Sequence, residues 1–98
     1  MDLFLKSSEK DTNQTEKSYY IGQCYQNLGN NKKAVTYYDK VIASQHKKYL
    51  EPALWNKSQI QIKSGQNKQA IESLNQTRVL NGTYAIPAQN QIDSLKQK

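Results

Sequence analysis

Two stretches of the chain share one residue skeleton, and this repeat constrains the fold more than any other feature. GNNKKAVTYYDKV begins at Gly29, and GQNKQAIESLNQT begins at Gly65. In each stretch the glycine is followed five residues later by an alanine, and four residues after that by a large side chain, Tyr38 or Leu74. The shift of 36 residues between the copies predicts a repeated supersecondary unit, because periods of roughly 20 to 50 residues are typical of stacked repeat architectures.

Each copy of the skeleton predicts two helices joined by a turn. Gly29 suits the left-handed backbone position just past a helix end, and Asn30 or Asn31 can then cap the next helix. Gly22 and Ala34 are small where the two helices must approach each other. Apolar or small residues recur at helical spacings on both sides of the turn: Ser18, Ile21, Gly22, Tyr25 and Leu28 before it, and Ala34, Val35, Tyr38, Val41 and Ile42 after it.

The second copy is followed by one more predicted helix. Pro52 fits the first turn of the helix before Gly65, because its missing N–H costs nothing at that position. The helix after Gly65 carries an apolar stripe that extends to Leu80, and the Asn-Gly pair directly after Leu80 is a stop signal. A terminal amphipathic helix then follows, with Pro87 in its first turn. Its apolar stripe consists of Tyr84, Ala88, Ile92 and Leu95.

These assignments make the whole chain, 1–98, a single domain. Phe4 lies 34 residues before Tyr38, so the start of the chain is in register with the second helix of an earlier unit. We therefore expect the chain to be a piece of a longer repeat protein. The predicted segments are 1–12 as the end of a preceding repeat helix, 15–48 as repeat one, 51–82 as repeat two and 83–98 as a capping helix.

The composition favours helices with a basic surface. Only two prolines and four glycines interrupt 98 residues, and this balance suits helices. The formal net charge of +6 comes almost entirely from lysine, with Arg78 the only arginine. A basic surface attracts nucleic acid, anionic surfaces or acidic proteins, but lysines scattered singly or in pairs are typical of a solvated face. Lysine-mediated binding to nucleic acid or an anionic surface is therefore the alternative, and no specific nucleic acid is indicated.

The sequence contains no membrane signal. No run of about 18 apolar residues is present, so this segment is not expected to insert into a membrane. The single cysteine cannot form an intrachain disulfide. We expect a soluble domain, with the cytoplasm and the periplasm both open as its compartment.

Candidate catalytic residues are few. His46 is the only histidine and lies between the two repeats, where a solvated loop residue is expected. Cys24 has no histidine at helical spacing, which favours a half-buried structural thiol. No Cys, His or carboxylate residues have metal-ligand spacing, and no glycine-rich loop opens a helix as a phosphate cradle. We therefore expect no catalytic, cofactor or metal site in this chain and no enzyme activity.

The spacing of small and large residues resembles the tetratricopeptide repeat. Ile21 and Gly22 stand at the family's Leu-Gly pair, and Gly29 holds its turn. Other family positions are matched by Tyr25, Ala34 and Tyr38 in repeat one and by Gly65, Ala70 and Leu74 in repeat two. The resemblance implies an all-α fold, in which antiparallel helix pairs stack as a short right-handed solenoid with a C-terminal capping helix.

Members of this family are mostly scaffolds that bind a protein or peptide on a concave surface lined by the first helix of each repeat. Tyr19 and Trp55 would then lie one above the other in the groove, and the alternative is that each ring packs between helices. Rings supply buried area, and amides bond an extended backbone. The resemblance implies these groove residues: Tyr19, Gln23, Gln26 and Asn27 in repeat one, and Trp55, Gln59, Ile62 and Lys63 in repeat two.

Other roles stand beside the scaffold hypothesis. The chain can be the regulatory tail of a larger enzyme whose chemistry lies in other parts of the protein. A second copy of the chain is another candidate partner, through apolar residues at its start. The abundance of Lys, Asn and Gln and the Tyr-Ala-x-x-Ala pattern near the end resemble bacterial repeat proteins, so a bacterial source is expected.

Overall fold

The computed structural model describes the backbone of residues 2–97 and the side chains of residues 14–97. Within residues 2–97 the chain forms five helices and no strand. It divides into two compact units, Met1–Leu50 and Glu51–Lys98, called unit 1 and unit 2 below. The helices are α1 (Asp2–Asn27), α2 (Asn31–Ser44), α3 (Lys47–Lys63), α4 (Asn67–Val79) and α5 (Ala85–Lys96). The expected all-α fold of helix pairs with a C-terminal helix is confirmed.

The turn between α1 and α2 has the geometry that its glycine predicts. Gly29 has a φ of +84°, a left-handed conformation that disfavours residues with a Cβ. Its N–H donates to the carbonyl of Gln26 (3.1 Å), and the N–H of Asn30 donates to the carbonyl of Tyr25 (2.9 Å). This pair of bonds is the Schellman arrangement, which satisfies the last carbonyls of a helix. The Asn30 side chain then accepts from the Lys33 N–H and caps α2.

The turn between α3 and α4 repeats the same backbone pattern in unit 2. Gly65 has a φ of +79°, and its N–H donates to the carbonyl of Ile62 (3.1 Å). The N–H of Gln66 donates to the carbonyl of Gln61 (2.8 Å). The Gln66 side chain makes no capping bond, so the second turn lacks the asparagine cap of the first. The glycine skeleton therefore marks two turns of the same type.

Small residues allow α1 and α2 to approach closely in unit 1. A Cβ placed on Gly22 would lie 2.9 Å from Cε1 of Tyr38, which is well inside van der Waals contact. Tyr38, Ala34 and Val41 of α2 are fully buried. The predicted roles of Gly22 and Ala34 as spacers between two helices are confirmed.

Unit 2 is built around a core that α4 and α5 share. Because both helices contribute fully buried side chains, α5 covers an apolar face of α4 that would otherwise meet water. Half-buried Trp55, Ile62 and Ile71 pack against this core. The core residues are Ala70, Leu74, Ala88, Ile92 and Leu95.

Two leucines at helix ends do not lie on the buried stripes on which the sequence places them. Leu28 is 79% exposed and Leu80 is 41% exposed. Each residue follows the last residue of its helix, because α1 ends at Asn27 and α4 ends at Val79. The backbone turns away at Gly29 and at Asn81, which has a φ of +56°. The helical spacing of apolar residues therefore continues in the sequence for one residue after each helix has ended.

The start of α3 differs from expectation. Pro52 lies in the interior of α3, which begins at Lys47, and not in its first turn. A proline so close to the helix start removes only the bond to the carbonyl four residues earlier, that of Lys48. The backbone of α1 is continuous from Asp2 to Asn27, and no glycine or proline precedes Gly22 to interrupt it. The assignment of residues 1–12 to the end of a preceding repeat helix stays a prediction.

Candidate partner-binding surfaces on the first helices

Tyr19 of α1 lies in a cluster of aromatic rings in unit 1. Its ring centroid is 5.3 Å from that of Tyr49, 5.5 Å from that of Tyr20 and 6.1 Å from that of Tyr38. The side chain is half-buried. Contacts with several rings hold the Tyr19 ring in place while part of it stays accessible.

The polar residues predicted beside Tyr19 are partly engaged within unit 1. The Gln23 amide donates to the Tyr19 hydroxyl (3.2 Å), and the Gln26 amide oxygen accepts from the Tyr38 hydroxyl (2.6 Å). Asn27 is exposed at the last position of α1. The structure thus joins Gln23 to Tyr19 directly, and it turns Gln26 toward α2.

Burial raises the pKa of the Tyr38 phenol well above its ordinary value, because the charged phenolate would lose its hydration. Repulsion from Tyr19 and Cys24 in their ionised forms acts in the same direction. Tyr38 therefore stays a neutral hydrogen-bond donor to Gln26 through the physiological pH range.

Trp55 of α3 has an equivalent arrangement within unit 2. Its ring stacks on that of Tyr84, with centroids 4.9 Å apart and planes 21° apart, and it is half-buried. Tyr19 has a similar relationship with Tyr49 in unit 1. The two supporting tyrosines were not recognised as partners of these rings in the sequence. The available signal is that each lies about thirty residues after the ring that it supports.

Gln59 and Gln91 form a reciprocal amide pair in unit 2. Nε2 of Gln59 donates to Oε1 of Gln91 (2.8 Å), and Nε2 of Gln91 donates to Oε1 of Gln59 (3.2 Å). Gln59 also donates to the Ser58 hydroxyl (3.2 Å), which uses its second proton. Gln91 keeps one N–H, and each amide oxygen keeps a lone pair. Gln91 was not predicted as a site residue, because nothing in the sequence shows that α5 adjoins Gln59.

The remaining predicted residues of unit 2 differ in exposure. Ile62 packs against the unit 2 core, while Lys63 is exposed at the end of α3. A surface depression of about 130 Å³ adjoins Ile62, and its lining includes Gln91, Ser94 and Leu95. Its size suits one side chain rather than a cofactor. The role of all eight predicted residues in binding stays a prediction.

Three lysines of unit 1 lie over tyrosine rings. The Lys33 ammonium is 5.4 Å from the Tyr25 ring centroid, and the Lys40 ammonium is 4.7 Å from that of Tyr37. A third such contact joins Lys48 to Tyr49 at 5.5 Å. Each cation is attracted by the electron-rich face of a ring, so these charges are partly ordered.

The residues considered for catalysis do not assemble into a site. His46 is half-buried, not solvated as expected, and its ring packs 5.5 Å from that of Tyr49. Its Nδ1 is buried without a hydrogen-bond partner. Cys24 is exposed, not half-buried as expected. No group of three or more His, Cys, Asp or Glu side chains in the described part of the chain could hold a metal ion.

None of the helices within residues 2–97 combines the length and the apolar character needed to span a membrane.

Comparisons with known proteins agree with the repeat geometry. Two family models, both described as tetratricopeptide repeat, match residues 18–45 and residues 51–76. Together the matches cover more than half of the chain, and each includes the C-terminal part of a first helix, the glycine turn and most or all of a second helix. Neither a curated protein nor a solved structure shows significant similarity to the chain. The helix pairs, their glycine turns and both matches show that the chain belongs to the tetratricopeptide repeat family.

Proposed function

We propose that this chain is an interaction scaffold that binds a segment of a partner protein through the faces of its first helices. Repeats of this family generally mediate protein–protein interaction and are typically not catalytic. The proposed contact residues are Tyr19, Gln23, Gln26 and Asn27 in unit 1 and Trp55, Gln59, Ile62 and Lys63 in unit 2.

The observation that carries the proposal is the paired arrangement of one ring and one amide in each unit. Tyr19 and Trp55 occupy equivalent positions, and each is supported by a second tyrosine ring. A glutamine follows four residues later in both cases. Because the rings are already held by neighbours, a partner that packs on them pays little side-chain entropy.

The amides supply the polar half of such a contact. An extended peptide offers one N–H donor and one carbonyl acceptor per residue, and binding leaves these groups unpaired unless the scaffold bonds them. The unit 2 pair of Gln59 and Gln91 retains an N–H and free lone pairs after its internal bonds. These are the groups that a peptide backbone requires.

Affinity capture tests the proposal. The chain is immobilised and exposed to a lysate of its source organism, beside a Tyr19→Ala/Trp55→Ala variant. A Val79→Ser/Ile86→Ser variant serves as the control, because these side chains are 73% and 75% exposed and lie outside the proposed contacts. Circular dichroism must show equal helix content in all three proteins.

The expected result is a protein that the parent and the control retain and that the Tyr19→Ala/Trp55→Ala variant loses. Equal retention by all three would remove the first-helix faces from the interface. Retention of nucleic acid alone, released by a modest rise in salt, would overturn the scaffold and favour binding through the lysines.

A further inference from the structure

We propose a second protein-binding surface on unit 1, which receives an acidic amphipathic segment of a partner protein. It is called the lysine-flanked surface below. The proposal concerns the side of α1 that faces away from Tyr19, so it does not depend on the function proposed above. The surface consists of Ile21, Tyr25 and Leu28 from the first helix and turn, and Lys33, Tyr37 and Lys40 from α2.

Helix geometry separates this surface from the first-helix contacts. Successive residues of an α-helix are rotated by about 100°, so Ile21, Tyr25 and the start of the turn at Leu28 fall within an arc of about 60°. That arc is centred roughly opposite Tyr19. A partner on one side of α1 therefore leaves the other side accessible.

The apolar part of the surface is exposed although the sequence pattern predicts a buried stripe. Leu28 is 79% exposed and Ile21 is 38% exposed, with the half-buried Tyr25 between them. A single exposed leucine needs no explanation. Three large side chains at spacings of four and three residues, however, form a continuous apolar row along one side of α1, on which the apolar face of a partner segment can pack.

The two tyrosines form a rigid centre for the surface. The rings of Tyr25 and Tyr37 stack with centroids 5.7 Å apart and planes 20° apart, and Lys33 and Lys40 lie over them. Each ring therefore has a second ring against it and an ammonium over it. These faces are not open platforms for nucleobases, which bind by stacking, so the geometry favours a protein partner.

Charge identifies the kind of partner. Lys33 and Lys40 are exposed, and their ammonium groups lie over tyrosine rings. Three lysines and one acidic residue, Asp39, lie on α2. Carboxylates on a partner can bind both ammonium groups while the lysines keep their contacts with the tyrosine rings. A second copy of the chain, with its net charge of +6, would be repelled.

The probe is a fluorescein-labelled synthetic peptide of about three heptads, with leucine at the a and d positions and glutamate at most others. A peptide of the same composition in scrambled order is its control. We expect saturable binding of the ordered peptide at low salt. In NMR spectra of the ¹⁵N-labelled chain, we expect the peptide to cause its largest changes in amide chemical shift within residues 21–28 and 33–40.

Two pairs of variants locate the binding. Lys33→Glu/Lys40→Glu should weaken binding by about tenfold or more, whereas Lys68→Glu/Lys96→Glu changes the net charge equally and should weaken it by less than about threefold. Leu28→Ser should weaken binding severalfold. Ile86→Ser is its control and should not weaken binding, because Ile86 has a side chain of the same size and similar exposure but lies outside the lysine-flanked surface. The Tyr19→Ala/Trp55→Ala variant should bind the probe normally.

Several results would overturn the proposal. Absence of binding by the parent, equal binding of the scrambled peptide, or equal losses in the two charge-reversed variants would each do so. Concentration-dependent dimerisation in sedimentation, abolished by Leu28→Ser, would assign the surface to a second copy of the chain instead.

Discussion

The hydroxyl of Tyr38 donates a 2.6 Å hydrogen bond to the side-chain oxygen of Gln26, and so joins α2 to the helix that carries the proposed contacts of unit 1. The Tyr38 ring is fully buried and lies against Gly22. One residue of the second helix therefore fixes both the distance between the helices and the orientation of a proposed contact residue.

Removal of the Tyr38 hydroxyl should destabilise the chain. Tyr38→Phe keeps the ring but leaves the Gln26 oxygen without its bond, so we expect a loss of about 1–2 kcal/mol in the free energy of unfolding. Urea denaturation followed by circular dichroism measures it. In a double-mutant cycle, Tyr38→Phe should cost less in a Gln26→Leu background, because no amide oxygen is then left unpaired. Equal costs in both backgrounds would show that the bond contributes nothing.

Stability should fall at high pH through the same hydroxyl. The pKa of Tyr38 is raised in the folded chain, so the unfolded chain releases this proton at a lower pH, near the ordinary value of about 10. The stabilisation is therefore intact below about pH 10 and is lost progressively as the pH rises further.

Denaturation at several pH values between about 9 and 11.5 measures this effect. The unfolding free energy of the parent should fall more steeply than that of Tyr38→Phe, by at most about 1.4 kcal/mol per pH unit for one proton. The variant is the control for every other ionisable group, because it differs from the parent only in the Tyr38 hydroxyl. Parallel curves would contradict the prediction.

Gly22→Ala should destabilise the parent although alanine is the better helix former. In an open helix the change gains about 1 kcal/mol, but here the new Cβ would lie 2.9 Å from the fully buried Tyr38 ring. We expect a net loss of about 1–3 kcal/mol in the free energy of unfolding, measured by urea denaturation, because the overpacked Cβ would displace either the α1 backbone or the Tyr38 ring.

The equivalent residues of repeat two suggest a second substitution that should relieve this clash. Ser58 and Leu74 stand at the positions equivalent to Gly22 and Tyr38, and both are fully buried. Gly22→Ala should therefore cost less, or even stabilise, when it is made in a Tyr38→Leu background. A loss of the same size in both backgrounds would place the clash elsewhere.

The sequence predicts the turns and the small residues of the fold well, because these depend on local backbone chemistry. Gly29 is left-handed and Asn30 caps α2, as their residue types indicate. Helix ends are predicted less well, since Leu28 and Leu80 continue the apolar period past the last helical residue. Periodicity reports a face of a helix and contains no information about where the backbone bonds stop.

The candidate site is predictable only in part for a related reason. The family pattern places Tyr19 and Trp55 on first helices, but their supporting rings, Tyr49 and Tyr84, come from distant positions in the chain. The same holds for the bond between Gln59 and Gln91. Contacts between helices depend on three-dimensional packing, which a spacing rule within one helix does not describe.

The two repeats make the same contact between their first and second helices with different kinds of side chain. Tyr25 and Tyr37 stack in unit 1. At the equivalent positions of unit 2, shifted by 36 residues, the Ser73 hydroxyl donates to the Gln61 amide oxygen (2.8 Å), and both residues are buried. The stacked aromatic pair of unit 1 is thus replaced in unit 2 by a hydrogen-bonded polar pair.

Ser73→Ala should therefore cost more than its size suggests. The buried Gln61 oxygen would lose its donor, which corresponds to about 1–3 kcal/mol in the free energy of unfolding. Adding Gln61→Leu should restore much of that loss, because no buried polar group is then left unpaired and the contact becomes apolar, as it is between the tyrosines of unit 1. Urea denaturation of the parent, both single variants and the double variant provides the complete cycle. Strict additivity of the two single effects would show that water, and not Ser73, satisfies Gln61.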